Sequence, residues 1–199
     1  MVCQSHKTFV NCGQSMSDFY IAKDVMTEED VSYIYDYLIN VCPWRINSSY
    51  FKPEDHDHEY FRHHNYPHMS ALGPGGMQDP WLAGYFTATM AAVNLRMKET
   101  YGFTLPVQRT TSINFNAQRK SENYKFHTDG DADQWSVVGF LTPEWDESWG
   151  GELRVQENLI KYKPGDFVAF KSNLLHDAMP IKVDTPFWRI SVACFMSSK

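Results

Sequence analysis

No stretch of this sequence approaches the roughly 18 consecutive apolar residues of a membrane-crossing helix, so no membrane partner is expected. Basic residues are also scarce. The chain has 18 Lys and Arg against 24 Asp and Glu, a formal net charge of −6. That balance argues against a nucleic-acid partner, because phosphate binding needs a basic surface. Only four cysteines occur, Cys3, Cys12, Cys42 and Cys194, and none has zinc-ligand spacing. Residues 1–10 include Gln4, Ser5, His6 and Lys7 and so form no apolar signal core. The expectation is free thiols in a reducing, cytoplasmic setting. Internal repeats and low-complexity tracts are lacking too.

What remains is a chain of 199 residues, enough for one domain with a sizeable core. Aromatics make up 15%, which favours a sheet-rich architecture. Residues 1–17 lack pattern and read as a loose arm. A short strand is expected at 19–22. Thr27 and Asp30 form a box-like helix start, followed by Val31, Ile34, Tyr35, Leu38 and Cys42 at helical spacing, with Pro43 as the stop. A second helix is expected from Asp79 and Pro80 to Gly102, its apolar stripe being Leu82, Tyr85, Phe86, Met90, Val93, Met97 and Tyr101. Between them, the Pro- and Gly-rich stretch 43–80 holds His56, His58, His63, His64 and His68. It reads as a long loop bordering a site, with adventitious metal binding as the alternative. Tyr60 and Arg62 in that loop are candidate substrate contacts. Thus 18–105 gives helical support and the loop, while 106–199 gives short strands at 107–116, 122–127, 135–142, 151–156, 166–170, 179–183 and 187–196. So many short strands imply a sandwich or barrel.

The chemistry centres on His127-Thr128-Asp129, with His176 following 49 positions later. Two imidazoles and a carboxylate suit a divalent metal with open coordination positions. In a strand, residues i and i+2 share a side, so His127 and Asp129 can grip one ion together. The alternative is a plain acidic surface turn. Arg189 and Ser191 share a face of the last strand. A guanidinium in an apolar strand calls for an anion, either a bound carboxylate or a structural Asp or Glu. Trp135, Phe140 and Trp188 are candidate pocket walls, with core packing as the default role for each.

His127-x-Asp129, then His176, then Arg189-x-Ser191 resembles the pattern of the iron(II)- and 2-oxoglutarate-dependent dioxygenases. More narrowly, it is similar to their prolyl-4-hydroxylase-like branch. Tyr124 lies three positions before His127, as in that branch. Trp149-Gly150-Gly151-Glu152-Leu153 and Pro164-Gly165-Asp166 resemble its strand starts and turns. The likeness spans about 107–196.

The resemblance implies a mainly β (α+β) fold, a double-stranded β-helix of jelly-roll or cupin-like form, with supporting N-terminal helices. It implies Fe(II) on His127, Asp129 and His176. It implies 2-oxoglutarate as co-substrate, with its far carboxylate on Arg189 and Ser191 and with Tyr124, Asn114 and Asn116 assisting. Edge-strand or turn hydrogen bonding is the other role open to the two asparagines. Dioxygen completes the set, with ascorbate as reductant. The implied reaction hydroxylates a C–H bond and releases succinate and carbon dioxide. Its substrate would be a peptide or protein, through a prolyl residue, or a free amino acid or small metabolite. A non-catalytic cupin-like binder is the alternative from another class. Related halogenases carry a small residue where this chain has Asp129, which points to hydroxylation. The branch's prolyl hydroxylases often place a lysine where this chain has Arg189. The stretch 116–123 also has no glycine where they often have a Gly-rich turn.

Overall fold

Helix α1, Glu28–Asn40, begins where the sequence signals it. The Thr27 hydroxyl accepts from the Asp30 backbone N–H, and the Asp30 carboxylate accepts from the Thr27 N–H in return. This reciprocal box satisfies two donors that a helix start otherwise leaves without partners. The computed structural model describes residues 18–42, 45–46, 69–70, 79–106, 109–118 and 126–197. Helix α2, Pro80–Tyr101, is capped by Asp79, which accepts from Trp81 and Leu82 N–H. It ends at Gly102 in the left-handed conformation, φ 66°. Leu82, Phe86, Met90, Val93 and Met97 are buried along one stripe, with Thr89 added to it. Tyr101 departs from the expected stripe. It is 46% exposed, its ring tilted against Tyr20 at 5.3 Å between centroids and its hydroxyl donating to Ile21 O. No helix among the described residues is long and apolar enough to cross a membrane.

The strands are β1 (Phe19–Ala22), β2 (Arg45–Ile46), β3 (Met69–Ser70), β4 (Arg109–Gln118), β5 (Gln134–Phe140), β6 (Leu153–Val155), β7 (Asn158–Ile160), β8 (Phe167–Lys171), β9 (His176–Ala178) and β10 (Arg189–Ser197). A 3₁₀ turn covers Glu147–Trp149. A seven-stranded sheet has the order β1-β8-β5-β10-β4-β3-β2, and a three-stranded sheet the order β7-β6-β9. Every pairing is antiparallel.

Period-two alternation divides the large sheet into two faces. Ile113, Phe115, Ala117, Trp135, Val137, Ile190, Val192 and Cys194 pack against the helices, where Phe86 meets Phe115 edge-on at 5.0 Å between centroids. Phe140, Val168 and Phe170 face inward onto Leu153, Val155 and Ile160 of the small sheet. Two sheets enclosing their own core, with helices on the outer face of one, make the jelly-roll barrel of a double-stranded β-helix.

Several expected boundaries move. Strand β4 runs two residues past 116, and the expected strand 151–156 shortens to β6, onto which the unexpected β7 pairs back. The strand expected at 179–183 lies earlier, as β9 at His176–Ala178. His127 is an isolated bridge residue rather than the end of a described strand. Residues 1–17, the histidine-rich stretch 56–68 and most of 122–127 lie outside the described residues.

Candidate metal and co-substrate site

The three predicted ligand residues are brought together by main-chain pairing. His127 and His176 form a two-way bridge, His127 N to His176 O at 3.1 Å and His176 N to His127 O at 3.0 Å. Two residues on, Asp129 N donates to Ser172 O at 2.8 Å, just after β8. The segment carrying His127 and Asp129 is therefore stitched to the β8–β9 connection. Side-chain donor atoms of His127, Asp129 and His176 lie within 4.8 Å of one another. His127 Nε2 is 3.6 Å from Asp129 Oδ1, and His176 Nε2 is 3.2 Å from Asp129 Oδ2.

The donor set fits a metal. Neighbouring ligands on one ion with bonds of about 2.1 Å sit roughly 3 Å apart, close to these separations. His176 Nδ1 donates to Leu174 O at 2.9 Å, so the neutral ring carries its proton there and has Nε2 available as a metal donor. Burial disfavours a charged His176, but the hydrogen bond and charge of Asp129 outweigh it and raise the imidazole above its ordinary pKa. Burial likewise works against the Asp129 carboxylate. His176, Ser136 and His127 overcome it and hold Asp129 below the usual range. The His176 side chain is 6% exposed and that of His127 39%, so the cluster opens on the His127 side.

Two serines behind Asp129 were not legible as site residues. Ser136 Oγ donates to Asp129 Oδ2 at 2.7 Å, and Ser136 and Ser172 hydroxyls meet at 2.9 Å. Both serines are buried. Ser136 alternates inward with Val138 and Phe140, whereas its neighbour Trp135 points the other way. Trp135 packs between Tyr20 and Phe103 on the helix side with tilted rings, 3% exposed, so it is core and not a substrate-pocket wall. Trp188 also packs on the helix-side core. Phe140 does face inward, fully buried against Tyr162.

A second brace lies on the outside of the small sheet. Arg154 grips Asp177, the residue after His176, through Nε at 2.9 Å and Nη2 at 2.7 Å. Its guanidinium lies 3.9 Å from the ring centre of Phe126, the residue before His127. One side chain thus clamps the flanks of both histidines.

Arg189, 2% exposed, starts β10 on the inward face. Nε donates to Gly151 O at 2.9 Å and Nη1 to Gln118 Oε1 at 3.0 Å, and the guanidinium lies 5.0 Å from the Tyr162 ring centre. Both acceptors are neutral, and these bonds fix its plane. Gly151 comes this close because it has φ +77° and no Cβ. A Cβ there would lie 3.1 Å from Arg189 Cδ and Nε. Ser191 is buried two residues on, opposite Asn116 on one side and Phe140 on the other. Asn114 and Asn116 are half-buried, alternating with the helix-facing Ile113, Phe115 and Ala117. Tyr124, Tyr60 and Arg62 lie outside the described residues. Gln118 is a further inward residue that the sequence reading left out. Period two from Asn114 and Asn116 points to it, but the strand was expected to stop at 116.

A double-stranded β-helix holding two histidines and one carboxylate defines a non-haem iron oxygenase class. Residues 113–197 match the family model of the 2OG-Fe(II) oxygenase superfamily. The match runs from within β4 to the end of β10, and together with the donor set it supports a 2-oxoglutarate-dependent dioxygenase using Fe(II), 2-oxoglutarate and dioxygen. No curated protein matches the sequence. Among solved structures, the chain is similar to a Pseudomonas putida prolyl-4-hydroxylase, at 16% identity and TM-score 0.59, covering 92% of this chain and 94% of that one. It is similar to a Trichoplax adhaerens prolyl hydroxylase in complex with a hypoxia inducible factor oxygen degradation domain peptide fragment, at 14% identity, TM-score 0.59, and 92% and 84% coverage. It also resembles HygX from Streptomyces hygroscopicus with nickel and 2-oxoglutarate bound, at 10% identity, TM-score 0.59, and 90% and 82% coverage. At these identities the likeness is one of fold.

Proposed function

We propose that this oxygenase hydroxylates a peptidyl prolyl residue, with His127, Asp129 and His176 as its metal ligands and Arg189, aided by Ser191, as the anchor for the distal carboxylate of 2-oxoglutarate. The observation that carries the reading is the convergence of the three donor side chains in a barrel that also buries an inward guanidinium. Iron, 2-oxoglutarate and dioxygen together supply an oxidative decarboxylation that yields succinate and carbon dioxide and hydroxylates a C–H bond. The chain's own residues supply binding and geometry. His176 presents Nε2 because Leu174 O holds the proton on Nδ1. Ser136 orients the Asp129 carboxylate, and Asp129 offers its other oxygen on the His127 side. Arg189 offers a positively charged, pre-oriented fork to a carboxylate. Asn114, Asn116 and Tyr124 complete the co-substrate set, and Tyr60 and Arg62 meet the substrate.

Support for a peptidyl target comes from fold neighbours, one of which was solved with a peptide fragment. The test is succinate release with Fe(II), 2-oxoglutarate and ascorbate across proline-containing peptides, proline-free peptides and free amino acids. Peptide-dependent turnover with hydroxyproline in the product is expected. Turnover of free amino acids alone would replace the peptidyl target with a small one. Silence throughout, including uncoupled 2-oxoglutarate decarboxylation, would favour a ligand binder without turnover.

A further inference from the structure

Gln118 ends β4 directly opposite Arg189, the first residue of β10. Its side chain lies on the inward face with Asn114 and Asn116 and is 5% exposed. Arginine has no acceptor, so the amide must turn its oxygen to the guanidinium. Oε1 accepts from Arg189 Nη1 at 3.0 Å. That contact fixes the other end of the amide. Nε2 and its two N–H donors point away from Nη1, and among the described residues they meet no acceptor. A buried amide N–H2 without an acceptor destabilises a fold, and a ligand that supplies the acceptor relieves it.

We propose that Gln118 is a co-substrate-binding residue: its Oε1 sets the plane of the Arg189 guanidinium, and its N–H2 donates to the distal carboxylate that this guanidinium holds. The inference rests on Arg189 being the co-substrate anchor. A carboxylate has about four lone-pair sites, so it accepts from a guanidinium and an amide together. Glutamine is the side chain suited to both duties. It has an oxygen for the arginine and N–H donors for the acid, and it carries no charge of its own. Glutamate at the same place would set a negative charge beside the guanidinium and repel the ligand.

The experiment is calorimetric titration of the full-length chain, loaded with Mn(II) as a redox-quiet metal, with 2-oxoglutarate and with 2-oxobutyrate, which lacks the distal carboxylate. The wild type should bind 2-oxoglutarate more tightly than 2-oxobutyrate. Gln118→Met should weaken 2-oxoglutarate about tenfold, as expected for one lost hydrogen bond to a charged group, and leave 2-oxobutyrate unchanged. Gln118→Glu, nearly isosteric, should lose more 2-oxoglutarate affinity than Gln118→Met, again without affecting 2-oxobutyrate. If Gln118→Met does not fold, Gln118→Glu alone decides. Wild-type affinity for 2-oxoglutarate in the variants would overturn the proposal. An equal loss for both acids would also overturn it, because the residue would then only support the pocket. If the wild type itself fails to prefer 2-oxoglutarate, the anchor reading of Arg189 fails and the proposal with it.

Discussion

Ser136→Ala is the sharpest perturbation of the metal cluster that leaves all three ligands in place. The serine is fully buried, donates to Asp129 Oδ2 at 2.7 Å and meets Ser172 Oγ at 2.9 Å. Its removal costs Asp129 a charge-assisted hydrogen bond worth about 1.5–3 kcal/mol. It also frees the carboxylate to turn toward His176, which already lies 3.2 Å from the same oxygen. The Oδ1 atom beside His127 is then no longer held for the ion. At 1.4 kcal/mol per decade, the lost bond corresponds to roughly a tenfold to hundredfold drop in metal affinity. Loss of outer-shell hydrogen bonds at metal sites typically has that size. The assay is competition for Fe(II) or Mn(II) against a chelator of known strength, with circular dichroism to confirm the fold. Ser172→Ala, one bond further from the carboxylate, should show a smaller loss. Wild-type metal affinity in a folded Ser136→Ala would refute the claim that the serine orients Asp129.

Three further outcomes follow from the structure. Asp129→Ala should abolish succinate formation with Fe(II) and 2-oxoglutarate supplied, and unchanged turnover would sink the triad assignment. Arg189→Ala should mainly raise the 2-oxoglutarate concentration needed for half-maximal rate, and an unaltered requirement would refute its anchoring role. Arg154→Ala should lower the urea midpoint more than Lys163→Ala. Its partner Asp177 is fully buried, whereas the Lys163–Asp24 pair is exposed on both sides, so equal midpoints would count against the clamp.

Features set by local chemistry were legible before the fold was known. The capping box at Thr27, the Asp79-Pro80 start and the Gly102 stop act within a few residues, and both helices begin, and α2 ends, where they say; α1 ends at Asn40, short of Cys42 and the expected Pro43 stop. The His-x-Asp, His and Arg-x-Ser spacing was legible because the residue types are chemically unusual in such strands. Ser136 and Gln118 were hidden for a different reason. A buried serine in a strand has no signature of its own, and its meaning depends on Asp129 folding back beside β5 by bonding to Ser172 O. Gln118 depends on the register that places it opposite Arg189. Trp135 takes the default core role and not the pocket-wall role, and alternation held the answer. It shares a face with Val137, and both look toward the helices. Strand β7, three residues long, was absorbed into a loop because so short a run has no measurable period.

The position of β10 sets the order of events during biosynthesis. This strand, the last described, lies in the middle of the large sheet between β4 and β5. Until the ribosome has released residues 189–197, β4 and β5 have no neighbour between them and present bare edges to other nascent chains. The contacts that close the barrel join residues up to 88 positions apart, Ser197 opposite Arg109, a topology associated with slow folding. Arg189 and Ser191 ride on the same strand. The proposed co-substrate anchor is therefore made at the step that completes the sheet, so a chain truncated before residue 189 loses its sheet closure and the anchor together.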